Sequence, residues 1–414
     1  MKALYQNSFI FFLVYKLLIE LVKEGYYLND INHEVLIIGG GIIGASISYF
    51  LSKAGYDVGL IESKEIASLT SSHCDGNILA IDKTPGFDSQ MTLRSQKLIH
   101  ELSKELILPF EYRKPGSILV CETEKEMQAA EQWVQQQRDY GLDFKMLDKQ
   151  DIKNESKYFS DHLLGGLECS TDSTVNPYML TYSFIETAKQ HGLKVYEYEH
   201  VKNINKSNET FYIQTTNHSF YANKVVNACG IYASEIGSML DVHIPIYPRK
   251  GQILVASRNE TVGIRKVMEF GYLMSKFGGE RQVSKEMEDY GIALVFEPTE
   301  SQNFLIGSSR EFNGYDKKVN SKVNRLIAQR AIHFYPKLKD MSLIRTYSGL
   351  RPFTEDHLPI VSETEVEGFY VAAGHEGDGI GLSSITGLFI EQLISDKETE
   401  IDISPLSVNR FKEV

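Results

Sequence analysis

The sequence predicts an α/β fold in which a nucleotide-binding domain, discontinuous along the chain, receives an inserted α+β domain built on an antiparallel sheet. Three observations carry this prediction. Near the amino end, residues 34–54 form an apolar strand, a glycine-rich turn and a helix. Near the carboxyl end, residues 368–394 repeat that pattern. Between them, residues 244–309 alternate short apolar runs with polar turns, as antiparallel strands do.

Size and composition restrict the classes of function. The 414 residues suggest two domains rather than one core. The net charge is −12, from 55 acidic against 43 basic residues, so nucleic acid is not expected as a partner, because a phosphate backbone needs a basic face. The four cysteines form no C-x-x-C pair. They indicate reduced thiols in a cytoplasmic protein, and no metal site is expected.

The first 30 residues are an apolar extension. Its run Ser8–Val22 is interrupted by Lys16 and Glu20 and is too short for a membrane helix, which needs about 20 apolar residues. A secretory signal is not indicated, because early positive charge and a cleavage site are lacking. Three alternatives stay open: a helix that packs on the protein or a partner, an interfacial membrane anchor, or a start codon upstream of the true one.

The amino-proximal turn has the spacing of a dinucleotide-binding motif. Gly39, Gly41 and Gly44 follow the first strand as G-x-G-x-x-G, which permits a tight turn, approach of a pyrophosphate and close helix packing. Helix Ile42–Ala54 then directs its N-terminus at the phosphates. Glu62 ends the next strand, where its carboxylate would bind a ribose diol and repel a 2′-phosphate. The motif predicts FAD or NAD; the alternative is a glycine-rich turn in an ordinary α/β domain.

Two further segments suit a nucleotide-binding sheet. The polar loop Ser68–Asn77, which includes Ser71 and Ser72, would wrap the phosphates and rings of a long cofactor, or it is a surface loop. Lys224–Gly230 is a buried strand that runs into a glycine turn and closes the sheet. The intervening segment Gly165–Asn176 is rich in turn residues.

Apolar periodicity predicts the remaining elements. The predicted helices are Ser89–Leu106, Glu124–Tyr140, Tyr178–His191, Asn320–Tyr335 and Ser383–Ile394. The predicted strands before the inserted sheet are Gly116–Cys121, Leu193–Glu199, Val201–Ile204 and Phe211–Thr215. Those of the inserted sheet are Gln252–Ala256, Gly271–Ser275, Ala293–Glu297 and Phe304–Ile306.

An arginine stands in a restricted backbone shortly before the second glycine-rich turn. Arg351 lies between Leu350 and Pro352, and the proline limits the backbone on either side. Its planar fork would hold a substrate carboxylate with two hydrogen bonds, which lysine cannot do. The alternative is a structural ion pair with Glu355 or Asp356.

The second glycine-rich turn offers bare backbone N–H groups before a helix. Four glycines stand within eight residues there, at Gly374, Gly377, Gly379 and Gly381. Such donors suit an anion or an electron-rich ring edge. His375 is either a hydrogen-bonding residue of that site or a capping side chain, and no second histidine or cysteine stands at metal-ligand spacing.

Together these motifs resemble the D-amino-acid oxidase-like superfamily of FAD enzymes, which includes glycine oxidase, sarcosine oxidase and amino-acid dehydrogenases. The resemblance covers nearly the whole chain from Ile31 and also rests on Asp172–Pro177 and Pro248–Gln252. The phrase Gly374–Ile380 is most similar to the flavin subunits of hydroxyproline, proline and opine dehydrogenases. The substrates of those enzymes are secondary amines that carry a carboxylate.

The resemblance implies roles for individual residues. Arg351 would bind the substrate carboxylate, His375 would act at the same site, and Tyr272 would reach the substrate from the inserted sheet. FAD would be bound without a covalent bond, because no cysteine lies near the final motifs. The residues implied to contact FAD are Gly39, Gly41, Ile42, Ile43, Gly44, Glu62, Ser63, Ser71, Ser72, Val201, Ala228, Gly230, Gly374, His375, Gly377, Gly379, Ile380 and Gly381.

The implied reaction is oxidation of a small amino acid or secondary amine that carries a carboxylate. Substrates of the proline, hydroxyproline, sarcosine, glycine or opine type would become imines by hydride transfer to flavin N5. Two alternatives stay open: a 2-hydroxy-acid dehydrogenase or oxidase, and the flavin subunit of a hetero-oligomeric dehydrogenase. The electron acceptor would be oxygen, a quinone or a partner subunit. We expect a cytoplasmic protein, held peripherally at the inner membrane face if residues 8–22 bind lipid.

The motifs also assign the chain to domains. The FAD-binding domain is expected to comprise residues 31–80, 160–240 and 340–414. The substrate-binding domain is expected to comprise residues 81–159 and 241–339.

Overall fold

The computed structural model describes residues 30–257, 263, 265–276, 279 and 281–412. The apolar extension, for which an extra helix or a membrane anchor was predicted, lies outside the described residues. No helix within the described part of the chain is long and apolar enough to cross a membrane.

Helices and strands alternate along most of the described chain. In chain order, the helices are α1 (Ile42–Lys53), α2 (Phe87–Glu105), α3 (Glu124–Arg138), α4 (Lys149–Glu155), α5 (Pro177–Gln190), α6 (Ala233–Ser238), α7 (Phe270–Lys276), α8 (Lys285–Asp289), α9 (Ser321–Phe334) and α10 (Gly379–Ile394). The strands are β1 (Asp30–Ile38), β2 (Val58–Ile61), β3 (Asn77–Ile78), β4 (Ser117–Cys121), β5 (Lys145–Leu147), β6 (Gly165–Cys169), β7 (Ser173–Thr174), β8 (Lys194–Tyr196), β9 (Asn203–Ser207), β10 (Thr210–Gln214), β11 (Ser219–Asn227), β12 (Tyr247–Ala256), β13 (Lys266–Glu269), β14 (Val295–Pro298), β15 (Phe304–Gly307), β16 (Leu343–Phe353), β17 (Ile360–Glu363) and β18 (Phe369–Ala373).

The first sheet has a parallel centre in the order β18, β11, β1, β2, β8. Strand β17 adds an antiparallel edge, and β9 and β10 form an antiparallel ribbon beside the start of β11. Side chains of β1 alternate between two cores: Val35 and Ile37 face α1, α2, α5 and α10, whereas Leu36 and Ile38 face the ribbon and α6. Because helices cover one face and the ribbon with α6 covers the other, the central stretches Val35–Ile38 of β1 and Val58–Ile61 of β2 are buried throughout. The predicted Rossmann-like α/β architecture is confirmed.

The second sheet runs in the order β16, β12, β15, β14, β13, β4, β6, β5. Its pairs are antiparallel except β13 with β4. Helix α9 covers one face through Val323, Leu326 and Ile327, which pack on Leu254 and Phe304 among others. The other face of β12, β15 and β16 is turned toward the first sheet, where the cavity described below lies.

One predicted strand is wrong. Residues Gly271–Ser275 belong to helix α7, not to a strand of the inserted sheet. Phe270 and Leu273 stand one helical turn apart, so both bury against the sheet, with relative exposures of 2% each. Their spacing resembles alternation only over a short window, because a five-residue run does not separate a period of 2 from one of 3.6.

Other boundaries differ from the sequence analysis in informative ways. The turn-rich Gly165–Asn176 contains strands β6 and β7. The last helix begins at Gly379 rather than Ser383. Glycines in its first turn permit close packing, since a Cβ on Gly381 would lie 3.4 Å from the Ile78 Cα. Strands β6 and β16 both belong to the second sheet, where each pairs with other strands, although their residues were assigned to the FAD-binding domain. Helix α2 packs in the core of the first sheet, although its residues were assigned to the substrate-binding domain. The domain bounds stay a prediction.

Candidate active site

A cavity of about 510 Å³ lies between the carboxyl ends of the parallel strands and one face of the second sheet. We call its two sides the first-sheet wall and the second-sheet wall. The first-sheet wall includes Ile38, Ile61 and Ala373, which end β1, β2 and β18. The second-sheet wall includes Gly251 and Gly349, which are paired across β12 and β16. The edge formed by the carboxyl ends of parallel strands is the usual ligand site in such folds.

The glycines of the first turn are required by close backbone contacts. Gly39 has a φ of +110°, and a Cβ there would lie 2.6 Å from the Ala228 carbonyl oxygen. A Cβ on Gly44 would lie 1.9 Å from the Gly39 carbonyl oxygen. The turn therefore brings the N-terminus of α1 to the cavity. There the backbone N–H of Ile42 donates to the Ser71 Oγ at 2.9 Å.

Glu62 stands at the end of β2, on the first-sheet wall, and is 8% exposed. Its carboxylate accepts hydrogen bonds from the backbone N–H of Gly40 at 2.7 Å and of Lys64 at 2.9 Å. The side chain is thus held by backbone donors at the position expected for a ribose partner. Val201 lies close along the same wall, beyond β8.

The second glycine-rich turn connects β18 to α10. Gly374 has a φ of +83°, and Gly377, Gly379 and Ile380 line the cavity. The N-cap residue of α10, Asp378, makes no side-chain capping bond. The N-terminal end of this helix therefore presents backbone donors and a positive partial charge toward the cavity.

His375 lies in that turn and is buried at 3% exposure. Its Nε2 hydrogen-bonds with the Thr386 Oγ1 at 2.9 Å. Burial lowers the pKa of His375 to about 3, so the imidazole is neutral at physiological pH. The ring lines the cavity and is fixed by a partner on α10, and its role as a hydrogen-bonding residue of the site stays a prediction.

Arg351 lies on β16 in the second-sheet wall. Its guanidinium lies across Gly251, where a Cβ would approach Nη1 to 2.2 Å, and Nη1 donates to the Ser309 carbonyl at 3.1 Å. Asp356 instead pairs with Arg410, with Nε to Oδ2 at 2.6 Å. Within the described part of the chain, Arg351 has no carboxylate within salt-bridge distance, so neither alternative ion pair is formed.

Most of the predicted contact residues share this cavity. The predicted residues that line it are Gly39, Gly41, Ile42, Ile43, Glu62, Ser63, Ser71, Val201, Ala228, Gly230, Arg351, His375, Gly377, Gly379 and Ile380. The predicted residues outside its lining are Gly44, Ser72, Gly374, Gly381 and Tyr272. Gly44 and Gly381 instead serve helix packing. Tyr272 lies on α7 with its ring 3.8 Å from the Arg310 guanidinium carbon.

Sequence reasoning missed a buried charge cluster on the cavity side. Lys266 Nζ lies 3.2 Å from Asp75 Oδ2 and 3.6 Å from Glu297 Oε2. Burial raises the pKa of Glu297 despite Lys266. Burial also acts to raise the pKa of Asp75, but Lys266, Asn77 and Arg351 outweigh it and lower that pKa. No motif links these residues, since they come from a loop and two strands far apart in sequence.

Two other groups also escaped prediction. Arg249 and Arg310 lie near Arg351, although only the first belongs to a motif quoted above. In the second group, possible metal-ligand atoms lie within 4.8 Å of one another, on Glu122, His162 and His333. Arg330 contacts the same Glu122 carboxylate, so a cation there would compete with an existing ion pair.

The site fits a dinucleotide that is bound at a helix N-terminus and extends between the two sheets. Gly41 provides the required bare approach, because the nearest atom to a Cβ there would be the Ser71 Oγ at 3.3 Å. Glu62 stands where the sequence predicts a ribose acceptor, and the cavity reaches from there to the second glycine turn and Arg351. Fold and site together define a dinucleotide-dependent oxidoreductase.

Comparison with protein families makes this assignment specific. Residues 34–393 match the family described as "FAD dependent oxidoreductase". The chain belongs to this family, and the predicted superfamily and FAD cofactor are confirmed.

Individual relatives agree with that assignment. The chain is 28% identical to glycine oxidase of Geobacillus kaustophilus over 386 residues, which cover 91% of this chain and 97% of the relative. It is 26% identical to hydrogen cyanide synthase subunit HcnC of Pseudomonas aeruginosa over 427 residues, covering 92% and 96%.

Solved structures agree in fold. The crystal structure of the Geobacillus glycine oxidase matches with a TM-score of 0.83 and 26% identity, covering 92% of this chain and 99% of that one. L-proline dehydrogenase from P. horikoshii matches with a TM-score of 0.83 at 23% identity, covering 93% and 99%. At that identity the second match speaks for the fold alone.

Proposed function

We propose that this FAD-dependent oxidoreductase oxidises a small amine that carries a carboxylate to an imine. The proposed substrates are amino acids or secondary amines of the glycine, sarcosine, proline, hydroxyproline or opine type. One observation carries the proposal: the Arg351 guanidinium stands on the cavity wall without a carboxylate partner among the described residues.

Arg351 is prepared to bind a planar anion. Gly251 leaves room for the guanidinium, and the Ser309 carbonyl holds Nη1 at 3.1 Å. One edge of the guanidinium is thus fixed by backbone, and a substrate carboxylate would take the remaining donors with two parallel hydrogen bonds. A carboxylate bound there would fix the orientation of the neighbouring amine carbon.

FAD, when bound, supplies the acceptor for the two electrons of the oxidation. We propose that the Gly39–Gly44 turn and the α1 N-terminus hold its phosphates, that Glu62 and Val201 hold the adenosine part, and that the Gly374–Gly381 turn lines its ring. Cys74 and Cys229 also line the cavity, and burial raises the pKa of both thiols. They are therefore protonated rather than nucleophilic, which supports a non-covalent cofactor.

The chain's own residues contribute alignment and exclusion of water. His375 is neutral, so it offers a hydrogen bond rather than a charge. No dedicated base is required if the amine binds in its neutral form. The cavity lies between two sheets, so bound FAD and substrate would leave less room for water at the reacting carbon.

The relatives support both the substrate class and a partner. One is named for oxidising glycine, and another is named as a subunit of a synthase. We therefore keep a partner subunit, a quinone and oxygen as the proposed acceptors that reoxidise the flavin. A 2-hydroxy acid is the second candidate substrate, because its carboxylate would bind Arg351 equally well.

The test is anaerobic mixing of the FAD-loaded protein with glycine, sarcosine, proline, hydroxyproline, iminodiacetate and 2-hydroxyglutarate, followed by admission of air. We expect the flavin absorbance to bleach with at least one amine and not with the hydroxy acid. Bleaching by 2-hydroxyglutarate alone would assign the second candidate. Recovery of colour in air identifies an oxidase, and its absence identifies a separate acceptor.

A further inference from the structure

Three arginines lie close together on the second sheet: Arg351 lines the cavity, and Arg249 and Arg310 stand beside it, outside the lining. Arg249 on β12 and Arg351 on β16 are directly paired across the antiparallel strands. Lys250 bridges Glu311, and both of these residues point to the face covered by α9. Because side chains alternate along a strand, Arg249 and Arg310 point to the opposite face. Gly251 and Gly349 line the cavity on that same face.

The cluster carries more positive charge than its neighbours neutralise. Arg249 contacts Glu376. Arg310 and Arg351 have no carboxylate within salt-bridge distance in the described ranges. The nearby acids Asp82 and Asp378 are both bonded to Lys83, at 2.6 and 2.7 Å. Arg249 and Arg351 are directly opposite each other on the sheet, and like charges in that arrangement are destabilising. Asp82 and Asp378 act on Arg310 from a distance and oppose the lowering of its pKa, but they form no ion pair with it within the described residues.

Their hydrogen-bonding capacity is also unused. Nε and Nη1 of Arg310 and Nε of Arg249 are buried and have no hydrogen-bond partner among the residues that the structure describes. Burial lowers the pKa of Arg310, and repulsion from Arg351 adds to this, although Tyr272 opposes it. Burial likewise lowers the pKa of Arg249, together with Arg310 and Arg351. Buried donors without acceptors are costly and call for a ligand or another explanation.

We propose that Arg310 and Arg249 form a second anion subsite beside Arg351, and that the substrate is an amine bearing two carboxylate groups. This rests on the proposed function, because it takes Arg351 as the site of the first carboxylate. A second carboxylate would accept from the unused donors of Arg310 and offset the surplus charge. A substrate with one carboxylate would leave those donors unpaired.

Tyr272 is part of the same arrangement. Its ring lies 3.8 Å from the Arg310 guanidinium carbon and holds the guanidinium by a cation–π contact. Gly291 packs against the base of the same side chain, since a Cβ there would lie 2.9 Å from Arg310 Cβ. Arg310 is thereby positioned while its hydrogen-bonding edge stays available.

The test compares anions that differ by one carboxylate. Calorimetry on the oxidised FAD-loaded protein measures the Kd of malonate, succinate and glutarate against propionate, butyrate and pentanoate. We expect at least one dicarboxylate to bind about tenfold more tightly than its monocarboxylate match. In Arg310→Met the preference should fall to about twofold or less, with monocarboxylate binding unchanged. Arg351→Met should weaken both classes.

Stability gives a second readout. Replacing a buried, unpartnered cation by an unbranched apolar side chain should raise the Tm of ligand-free Arg310→Met. Arg325→Met on the exposed side of α9 removes the same charge away from the cavity and should leave Tm and the dicarboxylate preference unchanged. Arg249→Met provides an independent variant that should also reduce the preference.

Either of two results would overturn the subsite: equal binding of matched anions by the parental protein, or a preference that survives Arg310→Met and Arg249→Met. The proposed function fails separately. That failure would appear as no flavin bleaching by iminodiacetate or N-ethylglycine, whatever the anion affinities. Bleaching by both amines with equal kcat/KM would support the function and reject the second subsite.

Discussion

The two walls of the cavity are built by different means. The first-sheet wall consists mainly of backbone at the ends of adjacent parallel strands, with Gly39 and Glu62 contributed by one continuous βαβ unit. The second-sheet wall is lined mainly by glycines and apolar side chains of β12, β14, β15 and β16, with Arg351 among them, and Arg249 on β12 is paired with Arg351 across the strands. On the proposed function, the comparison teaches that the cofactor motif can be read from one continuous segment of sequence, whereas the arginines proposed for the substrate are brought together by strand pairing.

The largest expected effect is on the backbone of the first-sheet wall. A Cβ on Gly44 would meet the Gly39 carbonyl oxygen at 1.9 Å, and neither backbone segment can move away. Gly44→Ala should therefore lower the free energy of unfolding by at least about 3 kcal/mol, or prevent folding. Urea unfolding of the holoenzyme measures it.

Gly55→Ala is the matched control for that substitution. Gly44 lies in the first turn of α1 and Gly55 follows the end of the same helix; Gly55 has a φ of +96° and nothing among the described residues within 4 Å of a Cβ. Its cost should be about 1 kcal/mol, from backbone strain alone. Equal costs at the two positions would mean that the close contact under the turn does not constrain the fold.

The next largest effect tests whether the two walls have different functions. Arg351→Met should lower kcat/KM for the preferred amine about 100-fold, because a charge-assisted pair of hydrogen bonds is lost. The FAD content should stay unchanged, since no first-sheet residue is altered. Arg345→Met, on the exposed end of the same strand, should retain parental kcat/KM. A loss of flavin in Arg351→Met would show that the two walls are not independent.

The contrast between the walls also explains what the sequence could predict. The glycine spacing, Glu62 and the turn before α10 are contiguous signals, so fold class and cofactor followed from them. Arg351 was found because its neighbours form a motif. The proximity of Arg310 to Arg249 depends on the Lys250–Glu311 bridge, which no local pattern encodes.

Helix α7 is a second example of a feature that the sequence alone could not predict. A five-residue apolar pattern around Tyr272 fits a strand or a helix, and only packing against the sheet decides. The Asp75–Lys266–Glu297 cluster likewise forms from β13, β14 and a loop, so its members look like ordinary surface charges in the sequence.

A smaller effect is expected from the ribose partner on the first-sheet wall. In Glu62→Gln one carboxylate oxygen becomes an amide, so a hydrogen bond from Gly40 or Lys64 is lost along with the negative charge. The Kd for FAD should rise about tenfold, while KM for the amine at saturating FAD stays constant. Glu65→Gln, at an exposed neighbour, serves as the control. A changed KM with unchanged FAD affinity would contradict the assignment of Glu62 to the cofactor.

The smallest effect concerns His375, which lies in the turn between β18 and α10 and lines the cavity. Burial lowers its folded-state pKa to about 3, below the value of about 6.5 for the unfolded chain. As pH falls through the unfolded value, the unfolded chain takes up a proton that the folded protein does not, so stability falls. From about pH 7 to about pH 5.5 this group should remove about 1 kcal/mol from the free energy of unfolding. His375→Gln should lack that component, which is measured as the difference between the two proteins' urea unfolding curves at each pH.

The neutral ring also predicts no ionisation from His375 in the kcat/KM profile between about pH 5 and about pH 9. An ionisation in that range that disappears in His375→Gln would mean that the imidazole is charged in the working enzyme.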